Sequence, residues 1–363
     1  MRRLSLLLAV ALGCNSTQAT TSERGSSVAP GPSSTSGAPS GPIGDASTPR
    51  PGGGDASAPS DGIAAKHPGD VGIGSDPDVV FADGYEDGSI SAVTARYDDA
   101  KTGGLSLVAD VPPKSPGKTS LKMFAAPAAP AADLFKHLEP GYDELWIRYY
   151  AKYQGGVQWH HTGVWIGGYD PPTSYPNPQA GTRPNGDDRF SISFEPIGAN
   201  GSPNPLLDTY SYWMKMRSWM DAPSGNAAYY GNTTIHSKDV FVQDDAWMCV
   251  ELHVKLNTDL SSGSGAELDV FLGDTKVAHF DDKGPLGCWI KDKFCTTTAD
   301  TSACTKYPDL CKPPLAPLDL QLRSTSALKL SHFWPQNYVT DGAGGSFQID
   351  DVVIAKSYVG CIR

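Results

Sequence analysis

Before Phe81 the chain has no aromatic residue, although eight Trp, fifteen Tyr and eleven Phe occur from that point on. Asn15 to about Ser75 is mostly Gly, Pro, Ser, Ala and Thr, with few branched aliphatics. Such a segment cannot bury enough apolar surface to offset its ordering entropy, so a disordered, Pro-stiffened tether is expected there. Long apolar runs are also lacking. Leu4–Leu12 falls short of the roughly 20 residues a helical span needs, and no later run reaches that length, which excludes a helical membrane anchor. Positive charge is scarce. A net charge of -11 and a pI near 5.1 argue against nucleic acid as the main partner, and leave any anionic substrate dependent on local cations. No long 3.6-residue periodicity and no internal repeat stand out, against a helical fold, a propeller or a solenoid.

What is present at the start is a processing signal. Arg2 and Arg3 precede the apolar run, and Ala11-Leu12-Gly13 leads into Cys14. This ending resembles the bacterial lipobox, which implies a lipid on Cys14 and attachment to the membrane through that N-terminal lipid only. The alternative is an ordinary cleavage site beside an incidental cysteine. Of the seven cysteines, six remain: Cys249, Cys288, Cys295, Cys304, Cys311 and Cys361. An even number in an exported chain favours three disulfides, with the pairing open, over a zinc site, whose cysteines usually stand closer in sequence.

From Asp76 the chain reads as one all-β domain. Strand candidates are Leu145–Tyr153, Gln158–Ile166, Phe190–Glu195, Thr209–Met216, Met248–Leu256, Glu267–Leu272, Leu328–Phe333 and Phe347–Ile354, parted by Gly, Pro, Asn and Asp clusters. That pattern predicts an antiparallel sandwich. Along the first of these, Leu145, Ile147, Tyr149 and Ala151 point one way and Trp146, Arg148, Tyr150 and Lys152 the other. The second set offers rings and cations to a sugar; equally, it fits a solvent-facing surface. In the next strand Gln158 and His160 share one face, His161 and Trp165 the other, and histidine suits proton transfer near neutrality. Tyr210 and Tyr212 share a face further on. Trp247, Glu251, His253 and Lys255 oppose an aliphatic face, which favours a solvated outer surface, so His253 is a weak candidate. His332 and Trp334 are intermediate.

Several stretches, in order, resemble the concanavalin A-like jelly rolls of polysaccharide lyases, of the glucuronan- and alginate-lyase type, and their cellulose-induced fungal relatives. They are DPDVVFADGYEDG from Asp76, LWIRYYAKY from Leu145, WMCVELHVKLNT from Trp247, GAELDVFLGD from Gly265 and FQIDDVVIAKSYVG from Phe347. The resemblance implies two antiparallel sheets with a concave face forming a glycan groove. Gln158-Trp159-His160 resembles the Gln-x-His element of alginate lyases. Glu267-Leu268-Asp269-Val270 nearly matches a retaining β-glucanase motif, but Phe271, Leu272 and Gly273 follow where a second Glu is needed, so that chemistry is rejected. Acidic residues near the domain's two ends, Asp83 and Glu86 against Asp350 and Asp351, imply a structural calcium ion with Glu86 and Asp350 as ligands. Edge acids at a β-bulge are the other reading.

As an enzyme, the chain is expected to cleave uronate-containing polysaccharide by β-elimination. Arg148 or Gln158 would neutralise the carboxylate, His160 or His161 take the C5 proton, and Tyr210 or Tyr212 protonate the leaving oxygen. Trp146, Tyr150, Lys152 and Trp165 are the expected sugar contacts. A non-catalytic, lectin-like module would use the same groove without turnover, and a structural surface protein would need none. A monomer at the cell envelope or cell surface is expected in each case.

Overall fold

The computed structural model describes residues 62–127, 131–157, 159, 161–197, 205–218, 228–339 and 344–363. Cys14, most of the tether, Gln158 and His160 lie outside them. The folded region begins by Gly62, ahead of the boundary expected at Asp76. Ile63 and Ala64 in a short helix, and Ile73, are buried against Val353, Ala355 and Val359. Three apolar residues are enough to seat this stretch, and its composition obscured them.

The strands are β1 Val79–Asp83, β2 Asp99–Lys101, β3 Leu105–Val108, β4 Ser120–Ala125, β5 Ala132–Tyr142 and β6 Glu144–Tyr153. There follow β7 Thr162–Tyr169, β8 Arg189–Ile197, β9 Leu206–Tyr212, β10 Met248–Lys255, β11 Glu267–Leu272 and β12 Thr275–Phe280. The last are β13 Leu286–Ile290, β14 Lys293–Thr296, β15 Ala316–Pro317, β16 Leu330–Asn337 and β17 Gly345–Ala355. Pairing between them is antiparallel throughout. The first sheet runs β12-β11-β10-β6-β17-β4-β3, with β1 also on β17; the second runs β2-β5-β16-β7-β8-β9. A small third sheet, β14-β13-β15, carries Cys288 and Cys295.

The two large sheets pack face to face, as the alternation of each strand dictates. Ile147, Tyr149, Val250, Leu252 and Ile349 from the first meet Val164, Ile166, Ile192, Phe194 and Phe333 from the second in one core. The molecule is the all-β, jelly-roll-type sandwich expected. Its six described cysteines form three disulfides: Cys249–Cys361, Cys288–Cys311 and Cys295–Cys304. The zinc reading of these cysteines falls away, and the disulfides suit an oxidising compartment.

Candidate functional site

The outer face of the second sheet is aromatic. Trp334 on β16 stands opposite Trp165 on β7, Trp165 opposite Ser193 on β8, and Ser193 opposite Tyr210 on β9. Two residues along, His332, Gly167, Ser191 and Tyr212 make a second row. The small residues leave room beside the large ones. A Cβ at Gly167 would stand 2.2 Å from the Phe190 carbonyl oxygen and 2.9 Å from the His332 ring, so no side chain fits there. A cleft of about 630 Å³ results, walled by Trp165, Tyr210, Tyr212, Trp334 and Tyr338, with His161, Gln179, Gln336, Lys101 and Asp133 around it.

His161 immediately precedes β7 and has a left-handed backbone, φ 56°. Strain of this kind in a non-glycine residue is commonest at functional sites. It also ends the strand expected from Gln158: β7 starts at Thr162. The turn directs the imidazole into the cleft, with Nδ1 3.4 Å from Glu195 Oε1 and the ring 5.0 Å from that of Tyr210. Glu195 is buried, and its other oxygen accepts the Ser193 hydroxyl at 2.8 Å. Burial, reinforced by Tyr212, pushes the Tyr210 hydroxyl far up. Burial raises Tyr212 to about 12, against the opposing hydrogen bonds from Tyr210 and the Gly231 backbone. Both phenols therefore keep their protons at neutral pH and act as donors. Among the described residues the indole N–H groups of Trp165 and Trp334 have no acceptor.

His332 plays a different part. It is fully buried between Phe135, at 5.4 Å, and Tyr169, at 4.7 Å. Burial, aided by His137, lowers its pKa to about 3, so it is neutral packing beneath the cleft.

Four expected site residues belong elsewhere. Arg148, Trp146, Tyr150 and Lys152 do share the face opposite Leu145 and Ile147, but that face lies on the first sheet and is covered. Arg148 is fully buried and donates to Asp70. Trp146 stacks on His253 with ring centres 3.9 Å apart. The Tyr150 hydroxyl accepts from the Ile362 amide at 2.9 Å, and Lys152 donates to Asp110 at 2.8 Å. Residues of Ile63–Asp70 and Tyr358–Ile362, with Asp110 ahead of β4, lie over β6 and take up the rings and cations offered to a sugar. Arg148 is thus on the other sheet from His161, and the two cannot share a groove. Glu251 and His253, expected in a solvated surface, are buried with them.

At the domain's two ends, β17 carries a bulge at Asp350–Val353, with Asp351 at φ 44°. Asp83 is held by Arg96 at 2.6 Å, and Glu86 accepts the Lys118 and Thr119 amides, each at 2.8 Å. Oδ2 of Asp350 and Oδ2 of Asp351 are buried without a partner. Burial first, then the neighbouring carboxylates, raise both of these acids.

Trp334, weighed as intermediate, lines the cleft; Gln336 and Tyr338 line it and Glu195 lies behind His161 without having been singled out. Glu195 had a readable signal: Arg189, Ser191, Ser193 and Glu195 alternate with the apolar residues of β8. Nothing local said which strand they would lie beside.

No family model matches the chain, and no curated protein sequence is significantly similar to it. Several solved structures are similar to it at low identity. The alginate lyase Aly36B is 8% identical, with 77% of this chain and 98% of that one covered and a TM-score of 0.47. A marine PL-14 alginate lyase from Aplysia kurodai is 11% identical, with 77% and 99% covered and a TM-score of 0.46. An endo-β-1,4-glucuronan lyase from the fungus Trichoderma reesei is 12% identical, with 77% and 96% covered and a TM-score of 0.36.

Proposed function

We propose that the cleft of the second sheet holds a uronate-containing polysaccharide and that the domain cleaves it by β-elimination. The observation that carries this reading is His161, fixed beside the buried Glu195 and facing Tyr210 within an aromatic-walled cleft. Flat rings suit the C–H faces of sugars, and the protonated phenols suit hydroxyl or carboxylate oxygens. His161 takes the C5 proton, and Glu195 steadies the imidazolium that forms. Tyr210 or Tyr212 gives its proton to the departing 4-linked oxygen. Arg148 drops out of the carboxylate-neutralising role, leaving Gln158 as the candidate for it.

The second reading, a lectin-like module, is favoured by one feature. Lys101, the cation lining the cleft, is bonded to the buried Asp133 at 2.5 Å and is thereby partly neutralised. The two readings part in a screen on alginate and glucuronan, followed by ultraviolet absorbance of unsaturated product. Product formation that His161→Ala lowers at least ~100-fold, with affinity little changed, is expected. Binding without product would favour the lectin.

We further propose a calcium ion at the Asp350–Asp351 bulge, where two orphaned carboxylate oxygens fit a hard cation and Glu86 adds negative charge. The ion's role there is structural. We propose that the domain works outside the cytoplasm, attached through a lipid on Cys14.

A further inference from the structure

The buried polar patch on the outer face of the first sheet has its own chemistry. Trp146, His253, Asp269 and His279 stand directly opposite one another across β6, β10, β11 and β12. Glu144 and Glu267 lie in the next row, with Lys255 between them. His253 Nδ1 is 3.1 Å from Asp269 Oδ2 and 3.9 Å from Glu267 Oε1. His279 Nδ1 is 2.7 Å from Asp269 Oδ1 and 3.9 Å from Glu267 Oε1. His253, Glu267 and Asp269 therefore bring one ligand atom each within 4.8 Å of one another, and His279 reaches the same two carboxylates from β12. Donors around a tetrahedral zinc ion at about 2.0 Å stand about 3.3 Å apart, so these separations need only small adjustments.

The surroundings match what a metal-bound histidine requires. Each ring's second nitrogen faces a further carboxylate: His253 Nε2 is 2.9 Å from Glu144 and His279 Nε2 is 3.5 Å from Asp281. That arrangement fixes the tautomer which leaves Nδ1 free to ligate, and raises its basicity. Trp146 stacked on His253 holds the ring plane. Four carboxylates meet two lysines, Lys276 and Lys255, so a dication is electrostatically welcome; Lys276, 3.0 Å from Asp269, is its competitor. Asp269 and His253 are buried, whereas the His279 and Glu267 side chains are 40% and 30% exposed, which leaves a way in for an ion.

We propose that His253, His279, Asp269 and Glu267 form a binding site for a borderline divalent transition metal, zinc above all. Imidazole donors set it apart from the all-oxygen calcium site on β17, and the proposal is independent of the glycan reading.

The test uses the tag-free chain, stripped with chelator and titrated with Zn²⁺ by calorimetry, with Co²⁺ absorption as a second readout. One ion per chain is expected at this site, with tetrahedral cobalt bands. His279→Ala, at an exposed edge, should abolish the bands. Glu144→Gln, which leaves all four ligands in place, should weaken zinc ~10–100-fold. The proposal is overturned if the wild type takes up neither ion, or if both variants bind as the wild type does.

Discussion

Arg148 sits mid-strand with its guanidinium wholly out of water, and Asp70 is the carboxylate that reaches it. Removing one partner of a buried ion pair strands the other, at a cost of about 3–5 kcal/mol. Arg148→Ala should therefore lower unfolding stability by that amount in denaturant titration, while glycan affinity stays unchanged. A loss of affinity at undiminished stability would return Arg148 to the site. Asp350 supplies a second residue-scale prediction. Its folded pKa is raised above the open-chain value, so the fold keeps a proton that the unfolded chain has lost. Stability then falls as pH rises from about 4 through neutrality. Melting of the calcium-free protein should show that fall, and added calcium or Asp350→Asn should flatten it. A pH-independent melting point would count against both the burial and the ion. Residue type and the two-residue period placed Tyr210 and Tyr212 on one face and made His161 worth watching. The period put Glu195 on the polar face of β8 but not beside His161, which it reaches only through the pairing of β7 with β8.

At the scale of elements, the sequence divided β6 into two faces correctly and could not tell what would cover the outer one. A row of rings and cations reads the same whether a sugar or other segments of the chain lie upon it. Here the segments around Ile63–Asp70 and Tyr358–Ile362 do so. Cys249–Cys361 ties the second of them to β10 across a sequence separation of 112. Replacing both cysteines with Ala should cost ~2–5 kcal/mol and raise hydrogen exchange in β10 and the final residues. Unchanged stability would mean that packing alone holds the terminus. The expected strand from Gln158 shows the opposite limit: β-propensity continued through His161, but the backbone turns there, and tertiary context set the boundary.

For the whole molecule, the all-β sandwich and its three disulfides were legible from turn spacing, alternation and cysteine number. Which sheet would carry the cleft was not, because that depends on how strands distant in sequence are ordered. Cys14→Ser should release the protein from membranes in detergent partition if the lipid is its anchor, and retention would contradict it. The central claim is that glycan lies on the second sheet and not on the first. Calorimetric titration of uronate oligosaccharides into Tyr338→Ala and Lys152→Ala, one partly exposed side chain from each face, tests it most directly. Tyr338→Ala is expected to bind roughly tenfold more weakly, about 1.4 kcal/mol, and Lys152→Ala as the wild type does. The reverse order would contradict it.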